Sequence, residues 1–314
     1  MSCRSDAGSG TVSSQASVVV ASNGDGSVEG ATGPATETSP LDGGQRRLAR
    51  DLTLRRIVGD VPTDRSSNIN NLRALAGREP HYMFGVDVQD HWDETELLEL
   101  MHRRVGISAD PAFEHGQDRI DPELTVRALA RYASAIGETA RWRGTFLFAT
   151  GHPSCLAWIY APIVRAVRAA GCPVVSLDVL LGSDNPVSGT VLGVEAPEPG
   201  QVRQIEGVLM RYDRGNLLHT HEPGFMEKVI GRLDDAGLVP DLVVADHGWA
   251  GASGRRGYRT IGIADCNDPA LFVAEAQGEV EVCVPMDDGM PPSQLGGLIG
   301  FVLDRAGLRD PDAG

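Results

Sequence analysis

From residue 145 onward, short runs rich in Val, Ile and Leu alternate with stretches whose apolar residues recur at helical spacing. A strand that is apolar along its whole length must be covered on both faces. Because a helical stretch follows most of these runs, the pattern predicts a three-layer α/β fold, a mostly parallel sheet with helices on both faces. The expected strands are 145–149, 173–179, 205–210, 241–245, 260–264 and 280–284. Leu156, Ile159, Ile163, Val164 and Val167 make one helical stripe, and 225–236, 269–276 and 294–306 carry three more. Gly171, Gly237 and Gly278 stand where helix C-terminal glycines belong.

The upstream part is less regular. Leu48, Leu52, Leu54 and Ile57 suggest a helix, 68–76 follows it, and 82–88 reads as a strand. Residues 94–105 and 121–136 have helical spacing, the second with Asp121 as N-cap and Pro122 in the first position. Residues 1–44 are rich in Ser, Gly, Thr and Ala and cannot bury enough apolar surface to offset ordering, so they read as a disordered tail ahead of a single α/β domain over 45–308.

Charge narrows the partners. Lys and Arg number 28 against 43 Asp and Glu, a net charge of −15, which argues against nucleic acid and against anionic membrane surfaces. No apolar run approaches the roughly 18 residues of a membrane helix, since the longest, 155–164, stops at Arg165. The Val/Ala run at 17–22 is too short for a secretory signal. Five cysteines without a CxxC pair speak against a disulfide framework or a thiolate zinc site, so a reducing cytoplasm is the expected compartment.

In open α/β sheets ligands bind beyond the carboxyl ends of the strands. Those positions here are polar. Thr150-Gly151-His152-Pro153-Ser154 follows the first strand and leads into a helix, so Thr150, Gly151 and Ser154 are candidates to hold a phosphate group at a helix N-terminus. Asp246-His247-Gly248 follows the fourth strand, Asp265-Cys266-Asn267 the fifth and Asp287-Asp288 the last. Carboxylates gathered at one edge repel one another unless a cation intervenes, and hard oxygen ligands suit Mg²⁺ or Mn²⁺. Asp246, Asp265, Asn267 and Asp287 are therefore the candidate metal ligands, and His152, Asp246 and His247 the candidate catalytic groups. His115, in a glycine-containing loop before the 121–136 helix, is a candidate to close over a substrate.

Plainer readings compete at several of these positions. Asp268-Pro269 makes a good helix start, while Asp287-Asp288 before Gly289 and Asp184-Asn185-Pro186 make good turns. His219-Thr220-His221 has the HxH spacing of several metallohydrolases, but Glu222-Pro223-Gly224 after it marks a loop, and a solvated or supporting role is expected there. Cys155 and Cys266 read as buried small residues. The DxD, Arg-His-Gly and Cys-x5-Arg signatures of three phosphatase classes are missing, as are GxGxxG and the Walker A loop. Motifs alone thus stop at metal-assisted chemistry on a small anionic molecule, with a phosphorylated-metabolite binding protein and a sugar or phosphoryl transferase as alternatives.

The strings HGQD at 115–118, IDPEL at 120–124, ATGHP at 149–153, ADHG at 245–248, ADCNDPAL at 264–271 and VPMDD at 284–288 resemble a family of actinobacterial phosphatases associated with secondary metabolism. The similarity spans about 68–303, and where the family commonly carries Asn after the second Asp, this chain has Gly289. The resemblance implies a phosphomonoester hydrolase acting on a phosphorylated sugar, cyclitol or pseudo-sugar such as validoxylamine A 7′-phosphate.

Overall fold

The computed structural model describes residues 39–181, 192–194 and 200–309. The turn expected at 184–186 lies outside the described residues. The elements run α1 (Gly43–Leu54), β1 (Gly59–Asp64), α2 (Arg65–Ala76), α3 (Pro80–Met83), α4 (Glu94–Val105), β2 (Gln117–Ile120) and α5 (Pro122–Arg141). They continue with β3 (Phe146–Thr150), α6 (Ala157–Ala169), α7 (Leu177–Leu181), β4 (Leu192–Val194), β5 (Gly200–Ile205), β6 (Val208–Asp213) and β7 (Asn216–Leu217). Last come α8 (Gly224–Asp235), β8 (Leu242–Asp246), α9 (His247–Arg255), β9 (Thr260–Ala264), α10 (Pro269–Gln277), β10 (Val282–Pro285) and α11 (Gly296–Ala306).

Helix starts follow local chemistry. Asp121 accepts from the N–H groups of Glu123 and Leu124 ahead of Pro122, as its position suggests. Asp42 opens α1 with a capping box, its carboxylate taking the Gln45 N–H while the Gln45 side chain takes its own. Leu41 before it is buried, so the fold begins a few residues inside the stretch whose composition reads as tail.

The main sheet has the order β10-β9-β8-β3-β6-β5-β4, with β7 beside β6. From β10 to β6 all pairings are parallel, while β5, β4 and β7 join antiparallel, giving the mixed but mostly parallel sheet of the expected fold. Strands β3, β8, β9 and β10 are buried along their whole length, as strands covered on both faces must be. α5 lies against β8, β9 and β10 and against α1 and α11, whereas α9 lies against β3, β8 and β9 and against α8 and α10. β1 and β2 form a separate antiparallel pair.

Three expected strands differ. In 173–179 only Val174 bridges to Phe146, and the chain then turns into α7. The Gln204 side chain accepts from Leu177 N–H and donates to the Val175 carbonyl, so a side chain satisfies the backbone groups that a ladder would otherwise have taken. The apolar run 205–210 holds a hairpin tip: Glu206 and Gly207 both have positive φ, 51° and 84°, and Ile205 faces Val208 across the turn. Residues 82–88 are not a strand, because Phe84 and Gly85 are both left-handed, with φ of 53° and 77°.

Candidate functional site

Strand β3 lies between β6 and β8, and the chain leaves it for one side of the sheet before returning to build the other. This reversal opens a crevice beyond the carboxyl ends. The turn from β8 into α9 forms its floor. Asp246 ends the strand, His247 begins the helix, and His247 carries φ of 46°, a conformation costing about 1–3 kcal/mol in a residue with a Cβ. Two contacts hold it. His247 Nδ1 donates to Asp246 Oδ1 at 2.7 Å, and Gly151 N–H donates to the same oxygen at 2.7 Å.

Glycines bring the other segments to this turn. A Cβ on Gly151 would stand 2.3 Å from the Thr220 carbonyl oxygen, and one on Gly248 would stand 2.2 Å from that of His221. Thr220 N–H in turn donates to the Gly151 carbonyl at 2.9 Å. The His219-Thr220-His221 segment is therefore pressed onto the β3 and β8 turns. Ring centroids of His219 and His221 each lie 5.0 Å from that of His247, and His152 lies 5.9 Å from it. His81, in α3, has its ring centroid 4.7 Å from that of His221, so five of the eight histidines join one cluster.

Carboxylates enclose the other side. His247 Nε2 is 3.6 Å from Asp268 Oδ2 and 3.4 Å from Asp288 Oδ2. Asp265 is buried, accepting from the Thr63 hydroxyl at 2.5 Å and from Cys266 N–H at 2.7 Å. Asp287 is buried too and accepts from Gly289 N–H at 2.8 Å. Burial pushes Asp265 and Asp268 up to about 6 and Asp288 well above the usual carboxylate range, with their mutual repulsion adding to it. Burial opposes the charge on His247, yet the Asp246 hydrogen bond and the charges of Asp268, Asp246 and Asp288 outweigh it and lift this imidazole to about 10. Burial and the His247 charge press three other imidazoles the opposite way, His219 to about 4, His221 to about 2, and His152 below its ordinary value. Metal-competent groups among the described residues are His219, His221 and His247, and His247, Asp268 and Asp288, each with its ligand atoms within 4.8 Å of one another.

Of the residues singled out from sequence, His152, Asp246 and His247 meet at the floor, with Asp265 and Asp287 close by. Asn267 stands beside them, its carbonyl taken by the Asn71 amide at 2.8 Å, and the neighbouring Asp268 is the one that faces His247. Thr150 is buried and its hydroxyl oxygen accepts from His152 N–H, while the Gly151 N–H is spent on Asp246. Ser154 is exposed and α6 begins only at Ala157, so the turn after β3 shapes the floor more than it offers free donors. His115 is exposed on the loop before β2. His219, His221, Asp268 and Asp288 carry more of the cluster than their local strings suggest. The HxH spacing was the available signal, and Gly248 beside His247 was the signal that another backbone approaches there.

No helix among the described residues is long and apolar enough to cross a membrane. The profile of the family described as Phosphatase matches residues 44–310. The chain is also 38% identical over 275 residues to "Phosphatase SCO2771" of Streptomyces coelicolor (strain ATCC BAA-471 / A3(2) / M145), an alignment covering 86% of this chain and 100% of that protein.

Proposed function

The chain belongs to the Phosphatase family, and from that premise we propose that it hydrolyses a small phosphomonoester. The substrate class is a phosphorylated sugar, cyclitol or pseudo-sugar of the validoxylamine A 7′-phosphate type, in antibiotic or other secondary-metabolite biosynthesis. The observation that carries the reading is the meeting of four imidazoles, His152, His219, His221 and His247, with buried carboxylates beyond the strand ends. A net charge of −15 disfavours a polyanion, so the phosphate belongs to a molecule small enough to be gripped locally.

A phosphate dianion does not approach such carboxylates without positive charge between them. A divalent cation held in the cluster supplies that charge as a Lewis acid for the phosphoryl oxygens. The chain's own residues do the rest. Asp246 keeps the His247 ring in one orientation through the Nδ1 bond. His152 stands half-buried, its ring edge-on to His219 at 4.7 Å, and serves as the proton donor to the leaving alkoxide. Its pKa is low in the free protein because burial and the His247 charge both oppose a second cation. A bound phosphate dianion reverses that balance, so His152 takes up a proton from water when the ester arrives.

Phosphate release from sugar and cyclitol phosphates, including validoxylamine A 7′-phosphate, measured against nucleoside monophosphates and phosphopeptides, tests the reading. Turnover of the cyclic polyol esters is expected, lost in excess EDTA and restored by a divalent cation. Product only on addition of an acceptor would make the protein a transferase, and undiminished turnover in EDTA would remove the metal.

A further inference from the structure

We propose that His219, His221, His247, Asp268 and Asp288 are the ligands of one divalent transition-metal ion of the zinc type, and that Asp246 positions His247 for it. The two metal-competent groups share His247. Its Nδ1 is turned to Asp246 Oδ1 at 2.7 Å, so Nε2 is the atom left for both groups and is the corner at which they join. From Nε2 the distances are 3.6 Å to Asp268 Oδ2 and 3.4 Å to Asp288 Oδ2, long for hydrogen bonds between such groups. They match the spacing of neighbouring donors in a five-coordinate sphere, about 3.0–3.6 Å when each donor sits about 2.1 Å from the ion.

Two of the donor residues carry buried atoms that need a partner. Asp288 Oδ2 and His221 Nδ1 make no hydrogen bond, and leaving a buried polar atom unsatisfied costs about 1–3 kcal/mol. By contrast both oxygens of Asp265 already accept hydrogen bonds, from Thr63 and from Cys266 N–H, and Asp287 Oδ1 accepts one from Gly289. The centre therefore lies toward the histidines, away from the Asp265, Asn267 and Asp287 positions that oxygen chemistry alone favours. Three imidazoles with two carboxylates suit a zinc-type ion, whereas Mg²⁺ keeps oxygen ligands and several waters. The Asp246–His247 pair has the form of a carboxylate–histidine–metal relay, in which the outer carboxylate fixes the tautomer and raises ligand basicity. His219 is exposed, so the ion sits at the mouth of the crevice where a phosphoryl oxygen can reach it. That last role rests on the phosphatase reading; the binding does not.

The test reads metal rather than turnover. The full chain is stripped with chelator, its melting is checked, and Co²⁺ is titrated while visible d–d absorption is followed. One Co²⁺ per chain is expected, displaced by Zn²⁺ and not by millimolar Mg²⁺. His219→Ala/His221→Ala should weaken Co²⁺ binding at least about 100-fold, Asp246→Asn about 10- to 100-fold, and Asn267→Ala and Asp287→Asn by less than about 3-fold. If the histidine variant fails to fold, X-ray absorption on the unaltered Co²⁺ protein decides, with at least two imidazoles expected in the first coordination sphere. An oxygen-only sphere, no Co²⁺ binding, or binding kept by the histidine variant and lost with Asp287→Asn would overturn the proposal. A chain that binds Co²⁺ but releases no phosphate would keep this centre and remove the phosphomonoester reading, and the reverse pair of results would do the opposite.

Discussion

Gly248→Ala probes how the site is assembled. Gly248 lies in α9 with helical φ, where Ala is locally the better residue by about 0.5–1 kcal/mol. The new Cβ, however, would stand 2.2 Å from the His221 carbonyl oxygen, 2.6 Å from the Glu222 carbonyl carbon and 2.7 Å from Pro223 N. All three are backbone atoms, so no side chain can swing away. Nor is the segment free to retreat, because Pro223 leads straight into α8 and packs on Gly85, where an added Cβ would meet it at 2.6 Å. Overpacking against a fixed neighbour costs about 1–3 kcal/mol, and the upper end applies here, leaving a net loss of about 2 kcal/mol after the helix gain. For a domain of about 270 residues that is a fall in Tm of about 3–4 °C. The His221 carbonyl must also back off from 2.2 Å to about 3 Å, carrying its ring from His247, and displacements near 1 Å cost about 100-fold in rate. Scanning fluorimetry and phosphate release measure the two effects. Gly231→Ala is the control: it lies in α8 with nothing within 4 Å of its Cβ position and should raise Tm slightly. If Gly248→Ala behaves like Gly231→Ala in both assays, the close approach of the HxH segment to the β8 turn is not what holds the site.

Three further outcomes are expected. His152→Ala should lower kcat by about 10²- to 10⁴-fold with Tm unchanged, and near-normal kcat would show that His152 is not the proton donor. Asp42→Ala removes the capping box of α1 and should cost about 0.5–2 kcal/mol in a denaturant titration; no change would show that the helix start does not support the domain. In the metal-stripped protein Asp265 and Asp268 hold protons up to about pH 6, against 3.8 for the free carboxyl, and His247 holds one up to about 10, against 6.5. Below about pH 6.5 the extra protons on Asp265 and Asp268 are offset by His219 and His221, whose lowered values leave the folded chain with fewer, whereas from about 6.5 to 10 His247 leaves it with more, so Tm should fall as pH rises from 7 to 9, and a rise over that interval would refute the hold of the carboxylates on His247.

The legible parts of the fold were those where one physical signal dominates. β8, β9 and β10 are apolar on both faces, and their runs read as strands to within two residues of their observed ends. α5 begins where Asp121-Pro122 marks it. The illegible parts depend on a second segment. Residues 173–179 have the same apolar character as β9, but Gln204, thirty residues later in the chain, takes up the hydrogen bonds that a strand would have used. The site divides along the same line. Asp246-His247 stands out because two ionisable groups between a buried strand and a glycine have no packing reason to be there. His219-Thr220-His221 carries its spacing in a segment with loop chemistry, and its place in the site is set by Gly151 and Gly248, contacts that no local pattern contains. Asp268 and Asp288 are ambiguous for a different reason, since an aspartate that starts a helix or a turn and one that faces an imidazole occupy the same position after a strand. The positive φ of His247 decides between these readings, because it turns the ring across the strand ends toward both carboxylates, and strain of that kind persists only where surrounding contacts enforce it.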